Sequence, residues 1–158
     1  MESKATKHRE PEIVVEPMVG DVPIDFELIE LFFFAYRDFT GDADAMLAEL
    51  DFGRAHHRVV HFVNRQPGMT VADLLDTLKI TKQSLARVLR QLIERGYVHQ
   101  VAGPVDRRQR QLYPTRRGRD LAVALADVQS RRIAAAMGCE AEDRARIERF
   151  LRAMIDPQ

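Results

Sequence analysis

Between Thr70 and Gly96 the sequence spells two short amphipathic helices with only Lys79-Ile80 to join them, and so tight a junction makes the pair a single structural unit. Thr70 stands as N-cap with Asp73 three residues on, a variant of the capping box, and Val71, Leu74, Leu75 and Leu78 recur at helical spacing. Thr81 caps the second helix, whose apolar set is Leu85, Val88, Leu89, Leu92 and Ile93, and Gly96 supplies its stop. With those side chains turned inward, the 3.6-residue period places Gln83, Arg87, Arg90 and Glu94 outward, with Ser84 and Gln91 at the margin.

Two helices so joined make a helix-turn-helix, in which the second helix can enter a major groove. Gln83 has the donor and acceptor pair that matches adenine, and Arg87 and Arg90 match guanine or phosphate. Thr81, Lys82 and Ser84 fall in the first turn, where free backbone N–H groups favour an anion. Extended stretches follow at 97–102 and 109–113, separated by Gly103-Pro104-Val105-Asp106-Arg107-Arg108, and Pro114 ends the second of them. This is a wing whose Arg107, Arg108 and Arg110 would reach flanking backbone or the narrow minor groove. Asp106 is expected to pair with a nearby arginine and hold the tip.

Charge distribution supports the same surface. The chain is neutral overall, yet residues 10–52 hold twelve acids against Arg37 alone, whereas residues 79–119 hold eleven bases against Glu94 and Asp106. A molecule polarised in this way offers a polyanion one end and repels it from the other.

The flanks complete a mainly α fold with a small β-wing. Residues 1–23, with Pro11, Pro17 and Pro23, read as a flexible N-terminal arm, and 24–158 as a single domain. Its DNA-binding lobe spans about 53–115, and the helices beside it about 25–40 and 116–156. Within these bounds 42–52 reads as a short helix, 54–66 as a longer one closed by Pro67-Gly68, and 141–155 as the last. Phe32, Phe33 and Phe34 near one end, with Phe150 and Leu151 near the other, are more apolar surface than so small a domain covers, which implies a second copy of the chain as partner.

Several function classes are excluded or weakened. No apolar run approaches the roughly 20 residues that cross a bilayer, and the N-terminus lacks a secretion signal, so the expectation is a cytoplasmic protein with no membrane partner. Cys139 is the only cysteine, which rules out an intrachain disulfide and a multi-cysteine zinc cage. His57 and His61 share a helix face but have no third ligand at a supporting spacing, so no metal is expected and no other cofactor is called for. Phosphate-cradling glycine loops and nucleophile elbows are missing, and the chain is not expected to be an enzyme. The competing reading is a winged-helix module for protein–protein contact without specific DNA binding; five arginines at 87, 90, 107, 108 and 110 weigh against it.

The order of motifs resembles the MarR family of bacterial winged helix-turn-helix regulators. The residues that carry the likeness are Thr70-Val71-Ala72-Asp73-Leu74-Leu75, the run from Ile80 to Leu89, Leu92-Ile93-Glu94-Arg95-Gly96-Tyr97-Val98, Asp106-Arg107-Arg108 and Thr115-Arg116-Arg117-Gly118. The resemblance implies a homodimer with N- and C-terminal dimerisation helices, acting on a near-palindromic operator in double-stranded DNA as a repressor, and released by a small ligand or an oxidant. It places Thr81, Lys82, Gln83, Ser84 and Arg87 at the start of the recognition helix, and Arg107 and Arg108 in the wing. By position it also makes Phe33, Tyr36, Arg37, His56 and His57 lining residues of an effector pocket, or equally the packing of a junction. Arg37 would hold an anionic, aromatic effector, or pair with Asp38 or Glu30. Three departures stand out: Lys79 where glycine is common in the turn, Ala86 for a frequent serine, and Pro114 for an aliphatic residue before the threonine.

Overall fold

The computed structural model describes residues 18–19, 22–137 and 141–156. Its elements in chain order are β1 (Met18–Val19), β2 (Val22–Pro23), α1 (Phe26–Ala48), α2 (Arg54–Arg65), α3 (Val71–Leu78), α4 (Lys82–Glu94), β3 (Val98–Ala102), β4 (Arg110–Pro114), α5 (Arg116–Met137) and α6 (Ala141–Ala153). Two compact units are distinguished, Met1–Tyr36 and Arg37–Gln158.

In the first unit, most of the arm expected over 1–23 lies outside the described residues. Its end forms an antiparallel pair, Met18 opposite Pro23 and Val19 opposite Val22. Asp25 begins α1 by accepting the Leu28 N–H at 2.9 Å on Oδ1. The early turns of α1 leave Phe26, Leu28, Ile29, Leu31, Phe33, Phe34 and Tyr36 exposed, Phe33 to 67%.

The second unit holds the core. The separate helix expected over 42–52 does not form, because α1 continues through Gly41 to Ala48. Thr40, which could have capped a new helix, instead donates its hydroxyl back to the Arg37 carbonyl at 3.2 Å. Burial of Thr40, Ala43 and Leu47 along one face then favours a continued helix. Val59, Val60 and Val63 of α2 share one cluster with Leu74 and Leu78 of α3, Leu85, Val88, Leu89 and Leu92 of α4, Leu112 of β4, and Ala122 and Leu125 of α5.

The junction of α3 and α4 follows its sequence cues. The Thr70 side chain accepts the Asp73 N–H at 3.1 Å, and the Asp73 carboxylate accepts the Thr70 N–H at 2.9 Å. These bonds hold the Asp73 carboxyl below the usual range, the backbone N–H of Thr70 contributing most. Lys79 ends α3 in the left-handed region, φ 49° and ψ 44°, where a Cβ crowds the backbone. Its ion pair with Asp76 is mostly exposed and offsets little. Lys79→Gly is therefore expected to stabilise the fold by about 1 kcal/mol, read as a higher denaturant midpoint at unchanged slope. A lower midpoint would contradict the strain assigned to this turn.

β3 and β4 pair antiparallel from Val98 opposite Pro114 to Ala102 opposite Arg110, so Pro114 is the last paired residue rather than the first beyond the strand. The segment before α3 adds a short third edge: Gly68 N–H donates to the Leu112 carbonyl at 2.8 Å, and Leu112 N–H to the Met69 carbonyl at 2.9 Å. Thr115 then starts α5 by accepting the Gly118 N–H at 3.0 Å while donating its hydroxyl to the Gly96 carbonyl at 2.7 Å. α6 leaves Ile147, Phe150 and Leu151 exposed, with Met154 and Ile155 just beyond it. Cys139 lies outside the described residues. No described helix is long and apolar enough to cross a membrane.

Candidate nucleic-acid interface

α4 buries Leu85, Val88, Leu89 and Leu92, which leaves Lys82, Gln83, Ser84, Ala86, Arg87 and Arg90 on its exposed side. Gln83, Ala86, Arg87 and Arg90 follow one another at i, i+3, i+4 and i+7, and with Ser84 they line one shallow depression. Thr81 Oγ1 accepts the Ser84 N–H at 3.2 Å and donates to Ser84 Oγ at 2.9 Å. The cap thus takes up Thr81 but leaves the Ser84 hydroxyl proton available for an acceptor outside the protein.

The hairpin tip is held by its backbone. Gly103 N–H donates to the Gln109 carbonyl at 2.8 Å, and Gln109 N–H to the Asp106 carbonyl at 3.1 Å. Asp106 does stabilise this tip, but its Oδ1 accepts the backbone N–H of Arg108 at 2.9 Å instead of pairing with a guanidinium. The short Asx turn satisfies the carboxylate locally, which leaves the arginine side chains out of it. Arg107, Arg108 and Arg110 all project as exposed residues.

The basic residues accordingly fall into two groups. Arg54 pairs with Asp44, Arg132 with Asp42 and Lys79 with Asp76. Arg58 donates to the Leu78 carbonyl at 2.8 Å. Arg95 and Arg117, counted with the basic end of the sequence, are also used inside the protein. Arg95 lies over the Phe52 ring at 4.4 Å and donates to the Leu50 carbonyl. Arg117 lies over Tyr97 at 4.4 Å and donates to the Arg95 carbonyl at 3.1 Å. By contrast Lys82, Arg87, Arg90, Arg107, Arg108 and Arg110, like Arg65, Arg116, Arg119, Arg149 and Arg152 elsewhere, have no ion-pair partner among the described residues; only the first six lie together on α4 and the hairpin that follows it. Cations left without partners on one helix face and the adjoining hairpin are an electrostatic footprint for an anion larger than the protein's own carboxylates.

The five residues assigned to an effector pocket have different surroundings. Phe33 and Tyr36 are exposed on α1, and Arg37 binds Asp38 through Nε at 2.7 Å and Nη2 at 3.2 Å. That contact raises the pKa of Arg37 and lowers that of Asp38, the hydrogen bond being the main cause for both. His56 is buried, with Nδ1 accepting the Gly53 N–H at 3.1 Å and Nε2 lying 2.7 Å from Gln91 Oε1. His57 and His61 both hold a proton less tightly than a free imidazole, through burial first, then through His61 for His57 and Arg65 for His61. Among the described residues no group of three or more metal-ligating side chains occurs.

Sequence reasoning missed Gln91 as a partner of His56, and it counted Arg95 and Arg117 as surface charge. The glycine after Arg95 marks it as a helix-end residue, but nothing local in the sequence points to Phe52 or Leu50.

Known proteins resemble this chain along most of its length. A model described as MarR family matches residues 50–109. The HTH-type transcriptional regulator PetP of Rhodobacter capsulatus is 47% identical over 130 residues, which cover 82% of this chain and 78% of that protein. Among solved structures, the crystal structure of MarR superposes with a TM-score of 0.63 at 24% identity, covering 87% of this chain and 92% of that one. A MarR protein from Peptoclostridium difficile gives 0.69 at 19% identity, covering 87% and 90%. Streptococcus pneumoniae FabT in complex with DNA gives 0.65 at 18% identity, covering 82% and 94%.

Proposed function

Because the chain belongs to the MarR family, we propose that it is a cytoplasmic transcriptional regulator, a repressor, that binds a near-palindromic operator in double-stranded DNA as a homodimer. The observation that carries this reading is the set of unpaired cations on α4 and the wing: Lys82, Arg87, Arg90, Arg107, Arg108 and Arg110. In the major groove, Gln83, Arg87 and Arg90 supply the amide and guanidinium groups that distinguish base edges. Thr81, Lys82 and Ser84 stand at the helix N-terminus, where a phosphate is favoured. Arg107, Arg108 and Arg110 extend the contact along the flanking backbone and into the minor groove.

Two-fold symmetry serves both ends of this design. Exposed Leu31, Phe33, Ile147 and Leu151 present apolar surface that a second copy would cover. The same symmetry presents two recognition helices to successive major grooves, roughly 34 Å apart. Sedimentation at micromolar concentration should give twice the 18.1 kDa chain mass, and a stable single chain would remove the symmetric part of the reading. A small-molecule effector, anionic and aromatic, completes the reading; an operator complex that dissociates on its addition is the sign to look for.

The DNA reading is tested by two substitutions with different signatures. Arg108→Ala should weaken binding to all duplexes alike and reduce the magnitude of the salt slope by about 1, as expected for a lost phosphate contact. Gln83→Ala should change the sequence selected from a random library while leaving the salt slope unchanged. If neither affects binding, this face is not the one that meets DNA.

A further inference from the structure

The contact between His56 and Gln91 carries an inference that rests on the DNA-binding reading above: we propose that His56 is a positioning residue for the recognition helix, fixing through Gln91 the stance of α4's outward face. Val59, Val60 and Val63 on α2 and Leu85, Val88, Leu89 and Leu92 on α4 share one aliphatic core. Apolar burial is strong but non-directional, so such a contact tolerates small slides and rotations. Hydrogen bonds do not, because they weaken steeply with misalignment.

His56 is only 9% exposed and bonds at both ring nitrogens. The Gly53 N–H at 3.1 Å from Nδ1 requires that nitrogen to be an acceptor, which leaves the proton on Nε2, 2.7 Å from Gln91 Oε1. Phe52 stacks on the imidazole at 4.6 Å and 16°, so the ring cannot swing away easily. The same Phe52 ring carries Arg95, the residue that ends α4, with its guanidinium at 4.4 Å. The C-terminal part of the recognition helix is thereby held at two successive turns by one cluster around the start of α2.

Gln91 stands one turn beyond Arg87 and next to Arg90. Movement of its anchor is passed along a stiff helix to those two side chains. Contacts with base edges would suffer most, whereas flexible lysine and arginine contacts with phosphate can follow a small shift. The expected result of breaking the tie is therefore lost discrimination, with general affinity for DNA retained.

The test uses the full chain, one duplex selected by the wild-type protein from a random-sequence library, and one unselected duplex of equal length. His56→Asn keeps an acceptor for the Gly53 N–H but is too short to reach Gln91; Gln91→Leu removes the acceptor and leaves the His56 Nε2–H unpaired, a stability cost that chemical denaturation reads separately from duplex binding. Both should bind the selected duplex about 10-fold more weakly, a loss of about 1.4 kcal/mol, while binding to the unselected duplex stays within about 2-fold. His56→Gln, whose amide N–H can still reach Gln91, should restore most of the discrimination. Because His56 is buried, its effect cannot come from touching DNA. Unchanged discrimination in His56→Asn and Gln91→Leu overturns the proposal, as does equal weakening on both duplexes or failure of His56→Gln to rescue. Should the wild-type protein bind neither duplex in a salt-dependent manner, the DNA reading fails first, a result distinct from any of these.

Discussion

Gly118→Ala is expected to destabilise the protein by about 3 kcal/mol or more, a large effect for one methyl group. Helix propensity alone predicts the opposite sign, since alanine is favoured over glycine within a helix by about 1 kcal/mol. Space decides the outcome. A Cβ on Gly118 would lie 1.9 Å from the Tyr97 carbonyl oxygen and 2.9 Å from its carbonyl carbon. That carbonyl cannot yield readily, because the Tyr97 N–H donates to the Leu92 carbonyl at 2.8 Å and its oxygen accepts from the Thr115 N–H at 3.1 Å. The Tyr97 ring is also fixed, edge-on to Phe52 at 5.1 Å and beneath Arg117 at 4.4 Å. Alanine must therefore push the start of α5 away from the end of α4, breaking the Thr115 cap as it does so. Chemical denaturation of the variant reads the loss directly; a midpoint equal to or above that of the wild type would show that α5 does not approach Tyr97 so closely.

Arg87→Ala should reduce affinity for a selected duplex by about 10- to 100-fold, as expected for a residue that reads a base edge or phosphate. The folded state should hardly notice, since Arg87 is exposed and has no ion-pair partner among the described residues. Arg95→Ala provides the contrast. Its guanidinium lies over Phe52 and bonds to the Leu50 carbonyl, so truncation should lower stability and weaken DNA binding only as a consequence. Denaturation and duplex binding measured on both variants separate the two uses of arginine in this chain. Equal behaviour of the pair in both assays would contradict the division.

The legible parts of this molecule are those set by neighbours a few residues away. Thr70 with Asp73, Thr81 with Ser84, and the aliphatic spacing of Leu85, Val88, Leu89 and Leu92 specify two caps and a buried stripe, and the exposed stripe follows as the remainder. Lys79 in the left-handed region was signalled by the family resemblance instead, since it stands where glycine is common in that turn. Contacts across long stretches of sequence were not legible. Gln91 is 35 residues from His56 and Leu50 is 45 from Arg95, and no spacing rule connects either pair. Composition misled on charge, because Arg95 and Arg117 look the same as Arg107 and Arg108 until the rings beneath them are in place. The separate helices read at 25–40 and 42–52 are one, since the lone glycine between them costs less than the burial of Ala43 and Leu47 returns. The strand edge at Gly68 and Met69 is too short to leave any alternating pattern.

One experiment bears on the whole account: selection of duplexes from a random-sequence library by the intact protein, followed by a salt titration of the winning sequence. The account predicts a two-fold symmetric consensus whose half-sites lie about 10 base pairs apart, with affinity falling steeply as salt rises. A library that yields no enriched sequence, or binding indifferent to salt, would contradict the claim that the exposed side of α4 and its arginine-bearing wing form a surface for DNA.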